Sequence, residues 1–154
     1  MSEPADISVL IVAYKSVDTL AGCLAALKAQ SQTPHEIIVL ENGSPDGQRA
    51  RAAEMPEGVR LVESAQNLGF AGGNNYLAKL ATGSWLALLN PDAYPRPDWI
   101  EQLGRARTTY PTASLFGSTQ FVANQVDTLD GTGDCYHALG LAYRSGYGRP
   151  ARSL

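Results

Sequence analysis

An α/β fold built on a mostly parallel sheet is predicted by three observations. Short aliphatic runs at residues 7–13, 36–40, 59–62 and 85–89 read as strands. Helical stripes of apolar residues lie between and after them, the first at Leu20, Leu24 and Leu27. Strand and helix alternate with a period of roughly 25 residues, the size of compact βαβ units. Short crossovers of this kind are right-handed and force a parallel sheet with helices on its faces.

Each element has a local cause. Residues 7–13 are β-branched or aliphatic almost throughout, the pattern of a strand buried on both faces. Ser16 offers an N-cap and Asp18 an acid in the first turn of a helix ending near Gln30. Thr33-Pro34 breaks that helix, and the second strand follows. Asn42-Gly43-Ser44 is turn chemistry, with Ser44 as N-cap and Pro45 opening a short polar helix to about Met55. After the third strand, a Gly- and Asn-rich loop at 67–73 leads into a helix over roughly 74–81. Thr82-Gly83 ends it. Beyond the fourth strand, Pro95 and Pro97 pass the chain to a helix over about 98–110, with Trp99, Ile100 and Leu103 facing inward. Residues 113–122 hold a strand or two, Asp130-Gly-Thr-Gly-Asp134 reads as a turn, and the tail from Tyr136 shows no clear period.

The 154 residues are one domain's worth, and 44% apolar residues suffice for a single core. Net charge is −3 with no basic stripe, so a nucleic-acid partner is not expected. Cys23 and Cys135 belong to no metal-spaced set, and His35 and His137 form no zinc cluster. Cys23 falls in the Leu20–Leu27 stripe as a small core residue. No apolar stretch approaches membrane-spanning length, and the acidic start is unlike a signal peptide, so a soluble cytoplasmic protein is expected.

In a parallel sheet the carboxyl ends of the strands open on one side, where the loops form a ligand crevice. Tyr14 can pack there beside a base or ribose, or serve as a rim aromatic. Glu41 can accept from a base N–H or ribose hydroxyl, or be an ordinary solvated strand end. The glycines at 69, 72 and 73 allow close backbone approach, and the following helix start suits phosphate. Asn90-Pro91-Asp92 is turn chemistry, and it also delivers a carboxylate suited to Mg²⁺ or Mn²⁺. The first β–α turn holds no glycine, so the dinucleotide fingerprint is missing, as are the P-loop and the G-x-S-x-G elbow.

Together these segments resemble the nucleotide-sugar half of a family 2 glycosyltransferase with the GT-A (Rossmann-like) fold, similar to the rhamnosyltransferase-like bacterial subgroup. The matching motifs are Val9-Leu-Ile-Val-Ala-Tyr14, Ile38-Val-Leu-Glu-Asn-Gly-Ser44, Asn67-Leu-Gly-Phe-Ala-Gly-Gly-Asn-Asn75 and Leu88-Leu-Asn-Pro-Asp92. Each alone is common; their order and spacing are specific, and the match covers about residues 7–110.

The resemblance implies a single GT-A domain over residues 1–154, truncated at its C-terminal side. Ala13 and Tyr14 then line the nucleotide pocket, and Glu41 stands where the family has an Asp contacting the base. Asn67, Gly69 and Asn75 match the loop beside the nucleotide. Asn90-Pro91-Asp92 stands where many relatives carry Asp-x-Asp or Asp-Asp, which makes Asp92 the ligand of Mg²⁺ or Mn²⁺ and Asn90 its neutral neighbour or a ribose contact. The expected reaction is inverting transfer from a UDP- or dTDP-sugar to a glycan or lipid-linked acceptor. It would serve cell-envelope polysaccharide synthesis, in the cytoplasm or at the inner face of the membrane.

The family's catalytic base lies in a later acidic motif, past the point where this sequence stops. Asp127, Asp130, Asp134 and His137 are the late candidates, with Asp130 and Asp134 foremost. A donor-binding half with weak nucleotide affinity and little transfer is therefore expected. Its exposed apolar face or strand edge would favour self-association. Two alternatives stay open, a nucleotidyltransferase and a non-catalytic nucleotide-sugar sensor or interaction module.

Overall fold

The computed structural model describes residues 5–153; most of the acidic start, residues 1–4, and residue 154 lie outside them. The chain divides into two compact units, one running to Thr109 and the other from Tyr110.

The first unit contains β1 (Ala5–Ala13), α1 (Val17–Lys28), β2 (Pro34–Asn42), β3 (Val59–Ser64), α2 (Gly69–Ala78), β4 (Trp85–Leu89) and α3 (Trp99–Thr109). Its sheet has the order β3-β2-β1-β4 and every pairing is parallel. The chain thus winds outward from β1 to β3, then returns to the other side of β1 for β4. That reversal leaves a crevice beyond the carboxyl ends of β1 and β4, the switch point at which open α/β sheets hold ligands.

β1 is central, and its two faces pack against different helices. Val9, Ile11, Ile37, Val39 and Leu89 lie beneath Leu20, Leu24 and Leu27 of α1 and Ile100 of α3. Leu10, Val12, Ile38 and Leu40 lie beneath Leu77 of α2. Covering both faces explains the continuous apolar run, and each fully buried aliphatic side chain contributes about 1.5–3 kcal/mol. β4 is different. Leu86 and Leu88 stand in register with Ser8 and Leu10 on the α2 side, yet they are 44% and 53% exposed.

Three local expectations are corrected. Ser16 occupies the N-cap position of α1, but its backbone (φ −119°, ψ 21°) leaves the hydroxyl without a capping bond. Only its carbonyl serves the helix, accepting the Leu20 N–H at 2.9 Å. The polar helix expected after Ser44 is absent, because Gly47 turns left-handed (φ 86°) and only a 3-10 turn at Ala52–Glu54 remains. α2 begins at Gly69 rather than Asn74, since the Asn67 side-chain oxygen accepts the Gly69 N–H at 2.8 Å and starts the turn early.

The second unit consists of two antiparallel ribbons. β5 (Gln120–Val122) pairs with β6 (Gln125–Gly131), and β7 (Asp134–Tyr136) with β8 (Ala142–Arg144). Leu129 is its buried apolar side chain among the described residues, and a 3-10 turn follows at Ala151–Ser153. The Asp130–Asp134 stretch is therefore a turn flanked by strand ends: Asp130 and Gly131 close β6, and Asp134 opens β7.

Candidate functional site

Side chains from successive strand tips meet in one crevice of about 270 Å³. β1 supplies Val12 and the turn just past it Tyr14, β2 supplies Asn42, and the entry and first turn of α2 supply Asn67, Gly69 and Phe70. Pro91, just past β4, closes the other side. The volume lies near the lower end of small-ligand pockets, which span roughly 300–1,000 Å³. Tyr14 and Phe70 are 41% and 57% exposed, so their rings are available to an apolar or aromatic ligand group. A second hollow, of about 40 Å³ between α1 and the 50–55 segment, is too small for such a ligand.

One wall is fixed by amide chemistry centred on Asn42, which is 1% exposed. Its Nδ2 donates to Asn67 Oδ1 at 3.1 Å and to the Gly69 carbonyl at 3.4 Å. Its Oδ1 accepts the Leu68 N–H at 2.9 Å. These bonds pin the entry of α2 to the tip of β2.

Of the residues expected to bind a nucleotide, Tyr14, Asn67 and Gly69 line the crevice. Ala13 does not: strand alternation turns its side chain into the core beneath α1. Glu41 is also turned inward and is 1% exposed. One carboxylate oxygen accepts the Ser44 N–H at 2.7 Å and the other the Ala50 N–H at 2.7 Å. Its place is beneath the loop, where it holds backbone, rather than in the lining of the crevice. Asn75 is exposed on α2 outside the lining, and Gly73 serves packing, since a Cβ there would meet Val12 Cγ1 at 2.9 Å. Val12, Asn42, Phe70 and Pro91 are lining residues that the sequence reading did not single out.

Asn90 and Asp92 are exposed at the turn after β4, on either side of the lining residue Pro91. The Asn90 carbonyl accepts the Ala93 N–H at 3.1 Å and faces the Cys23 thiol at 3.6 Å, which seats the turn on α1. Burial, and then the nearby Asp92 charge, push the Cys23 thiol up to about 12. No group of three His, Cys, Asp or Glu side chains converges among the described residues. One carboxylate beside one amide fits Mg²⁺ or Mn²⁺ when a ligand's phosphates complete the shell, the way Mg²⁺ is usually held. Asp130 and Asp134 lie in the second unit, where Asp130 is ion-paired with Arg144 and Asp134 is exposed.

Residues 8–131 match the family described as glycosyl transferase family 2. The chain belongs to that family. It is 32% identical over 128 residues to the succinoglycan biosynthesis protein ExoO of Rhizobium meliloti, covering 82% of this chain and 35% of that protein. It is 28% identical over 120 residues to the N-acetylglucosaminyl-diphospho-decaprenol L-rhamnosyltransferase of Mycobacterium tuberculosis, covering 71% of this chain and 39% of that one. The chain thus spans little more than a third of either relative.

Among solved structures, S. aureus TarS 1-349 in complex with UDP-GlcNAc superposes with a TM-score of 0.57 at 15% identity, over 75% of this chain and 38% of that one. The mannosyltransferase PcManGT of Pyrobaculum calidifontis, solved with GDP-Man and Mn²⁺, gives 0.57 at 20% identity, over 79% and 36%. These likenesses show the GT-A fold expected from the sequence. The matched chains extend well beyond the part this sequence covers.

Proposed function

We propose that this chain is the donor-binding portion of an inverting glycosyltransferase that moves a sugar from a UDP- or dTDP-sugar to a hydroxyl of a glycan or lipid-linked acceptor. The observation that carries this reading is the meeting of the β1, β2 and β4 tips and the α2 start around one crevice. Tyr14 and Phe70 offer ring faces to the base and ribose. Beyond the Leu68 and Gly69 N–H groups, which Asn42 and Asn67 occupy, the start of α2 is suited to the diphosphate, as helix N-termini are. When bound, Mg²⁺ or Mn²⁺ supplies positive charge against the phosphate charge that grows as the sugar departs. Asp92 is the residue to hold it, with Asn90 beside it.

The acceptor hydroxyl must lose its proton to a general base, for which Asp130 and Asp134 are the late candidates in this sequence. The names of the relatives favour polysaccharide or lipid-linked glycan synthesis, for which we place the chain in the cytoplasm or at the inner face of the membrane. No helix among the described residues is long and apolar enough to cross a membrane. Leu86 and Leu88, exposed on β4, support self-association of this chain, which sizing at rising concentration tests.

Calorimetric titration with UDP, dTDP and GDP, each with and without Mn²⁺, tests the reading. Metal-dependent binding that Asp92→Ala abolishes is the expected result. A non-catalytic nucleotide-sugar module is the second reading, favoured by the lack of any carboxylate among the lining residues. Sugar transfer by the full-length protein separates these two. Binding of no nucleotide would favour an interaction module. Family membership favours a glycosyltransferase over the nucleotidyltransferase alternative.

A further inference from the structure

Lys15 follows the tip of β1 and carries a left-handed backbone, with φ 53°. Among the described non-glycine residues only Asn124 shares a positive φ, and asparagine adopts it far more readily than lysine. The conformation is held from below. The Ser44 hydroxyl accepts the Lys15 N–H at 3.0 Å, and Glu41 in turn accepts the Ser44 N–H at 2.7 Å.

Electrostatics also disfavours a lysine here. Lys15 immediately precedes Ser16 and α1, at the end of the helix where anions rather than cations are stabilised. Its ammonium nevertheless lies 5.2 Å from the centroid of the Tyr14 ring, and Tyr14 lines the crevice. Three other cations of the unit are engaged elsewhere. Lys28 donates to the Glu57 carbonyl, Arg49 pairs with Glu63, and Arg105 pairs with Glu101. A backbone outlier beside a ligand crevice is a sign of function when surrounding structure enforces it.

We propose that Lys15 binds the diphosphate of the donor, its ammonium swinging from the Tyr14 ring to a phosphate oxygen, with Glu41 and Ser44 as the positioning residues that aim it. The proposal rests on the nucleotide-sugar reading above. It also supplies the local cation that a chain of net charge −3 needs to hold an anionic ligand.

The test titrates UDP and uridine, and dTDP and thymidine, each with Mn²⁺ present, into the wild-type chain and into Lys15→Asn. Asparagine keeps the left-handed backbone and removes the charge. The expected result is about a tenfold loss for the diphosphate, as for one lost charge-assisted contact, with the nucleoside unchanged. That difference should shrink at high salt. Ser44→Ala is expected to lose part of the same diphosphate increment. Equal weakening of nucleoside and diphosphate, or unchanged diphosphate binding by Lys15→Asn, would overturn the role of Lys15 alone. A wild-type chain that binds none of these ligands would overturn the nucleotide-sugar reading and this proposal with it.

Discussion

The Glu41 carboxylate accepts the Ala50 N–H at 2.7 Å, tying the tip of β2 to the far end of the loop that follows it. Its other oxygen takes the Ser44 N–H, so one buried charge organises that loop from both ends. Hydrogen bonds to an ionised acceptor are stronger than neutral ones, and burial leaves no water to replace them. Glu41→Gln turns one backbone N–H toward an amide NH₂ and is expected to cost about 1.5–3 kcal/mol. Glu41→Ala orphans two donors and costs more. Urea denaturation measures both, with the exposed Glu57→Gln as control. Equal midpoints for Glu41→Gln and that control would contradict the arrangement.

Two glycines in the same loop separate backbone strain from crowding. Gly43 and Gly47 are both left-handed, with φ 73° and 86°. A Cβ at Gly47 would meet nothing within 4 Å, so Gly47→Ala is expected to cost only the left-handed strain, about 1–2 kcal/mol. A Cβ at Gly43 would come within 2.5 Å of the Gln66 carbonyl carbon. Gly43→Ala should therefore destabilise substantially more and disturb the neighbouring Asn67. Denaturation midpoints test the first effect, and nucleotide affinity the second. Equal losses at the two positions would mean that the Gln66 backbone yields freely.

The strands were legible because Val9, Leu10 and Ile11 are buried on both faces of the sheet, which demands an unbroken apolar run. The helix expected after Ser44 failed for a reason that local propensity does not contain. Its Ser-Pro start is overruled by the Glu41 bonds and the turn at Gly47. Strand alternation held an unused signal. Glu41 shares parity with Ile37 and Val39, which face α1, whereas Asn42 shares parity with Ile38 and Leu40, which face α2. That pattern turns Glu41 inward and assigns the crevice wall to Asn42. After Tyr110, β7 and β8 were not readable, because strands of three residues carry no measurable period.

Acid should weaken the fold partly through Glu36, near the amino end of β2. Its Oε1 accepts the Thr82 N–H at 2.6 Å, the Ser8 hydroxyl at 2.7 Å and the Thr82 hydroxyl at 2.8 Å. Partial burial raises this carboxyl, but the Thr82 and Ser8 bonds outweigh it and hold the pKa below its ordinary 4.5. The folded state thus favours the anion, so the contribution is complete above the unfolded value and is lost as pH falls through the lowered folded value. Glu36→Gln should be less stable than wild type at neutral pH, with the gap closing as pH falls below the ordinary 4.5 and through the lowered folded value. Denaturant midpoints across that range report it. A gap independent of pH would remove Glu36 from the acid response.

Thiol labelling tests the packing beneath the β4 turn. Cys23 is 0% exposed between α1 and the sheet, and its Sγ faces the Asn90 carbonyl at 3.6 Å. Alkylation needs a thiolate, and burial together with the Asp92 charge pushes this thiol up to about 12. Cys135 is only partly buried. Iodoacetamide at neutral pH should therefore modify Cys135 in the native chain and reach Cys23 only after unfolding. Asp92→Asn removes the charge but leaves the burial, which is the larger cause, so Cys23 should stay protected in that variant. Similar labelling rates for the two cysteines in the native wild type would mean that the Asn90 turn does not stay seated on α1. Asp92 would then lack the fixed position that metal binding requires.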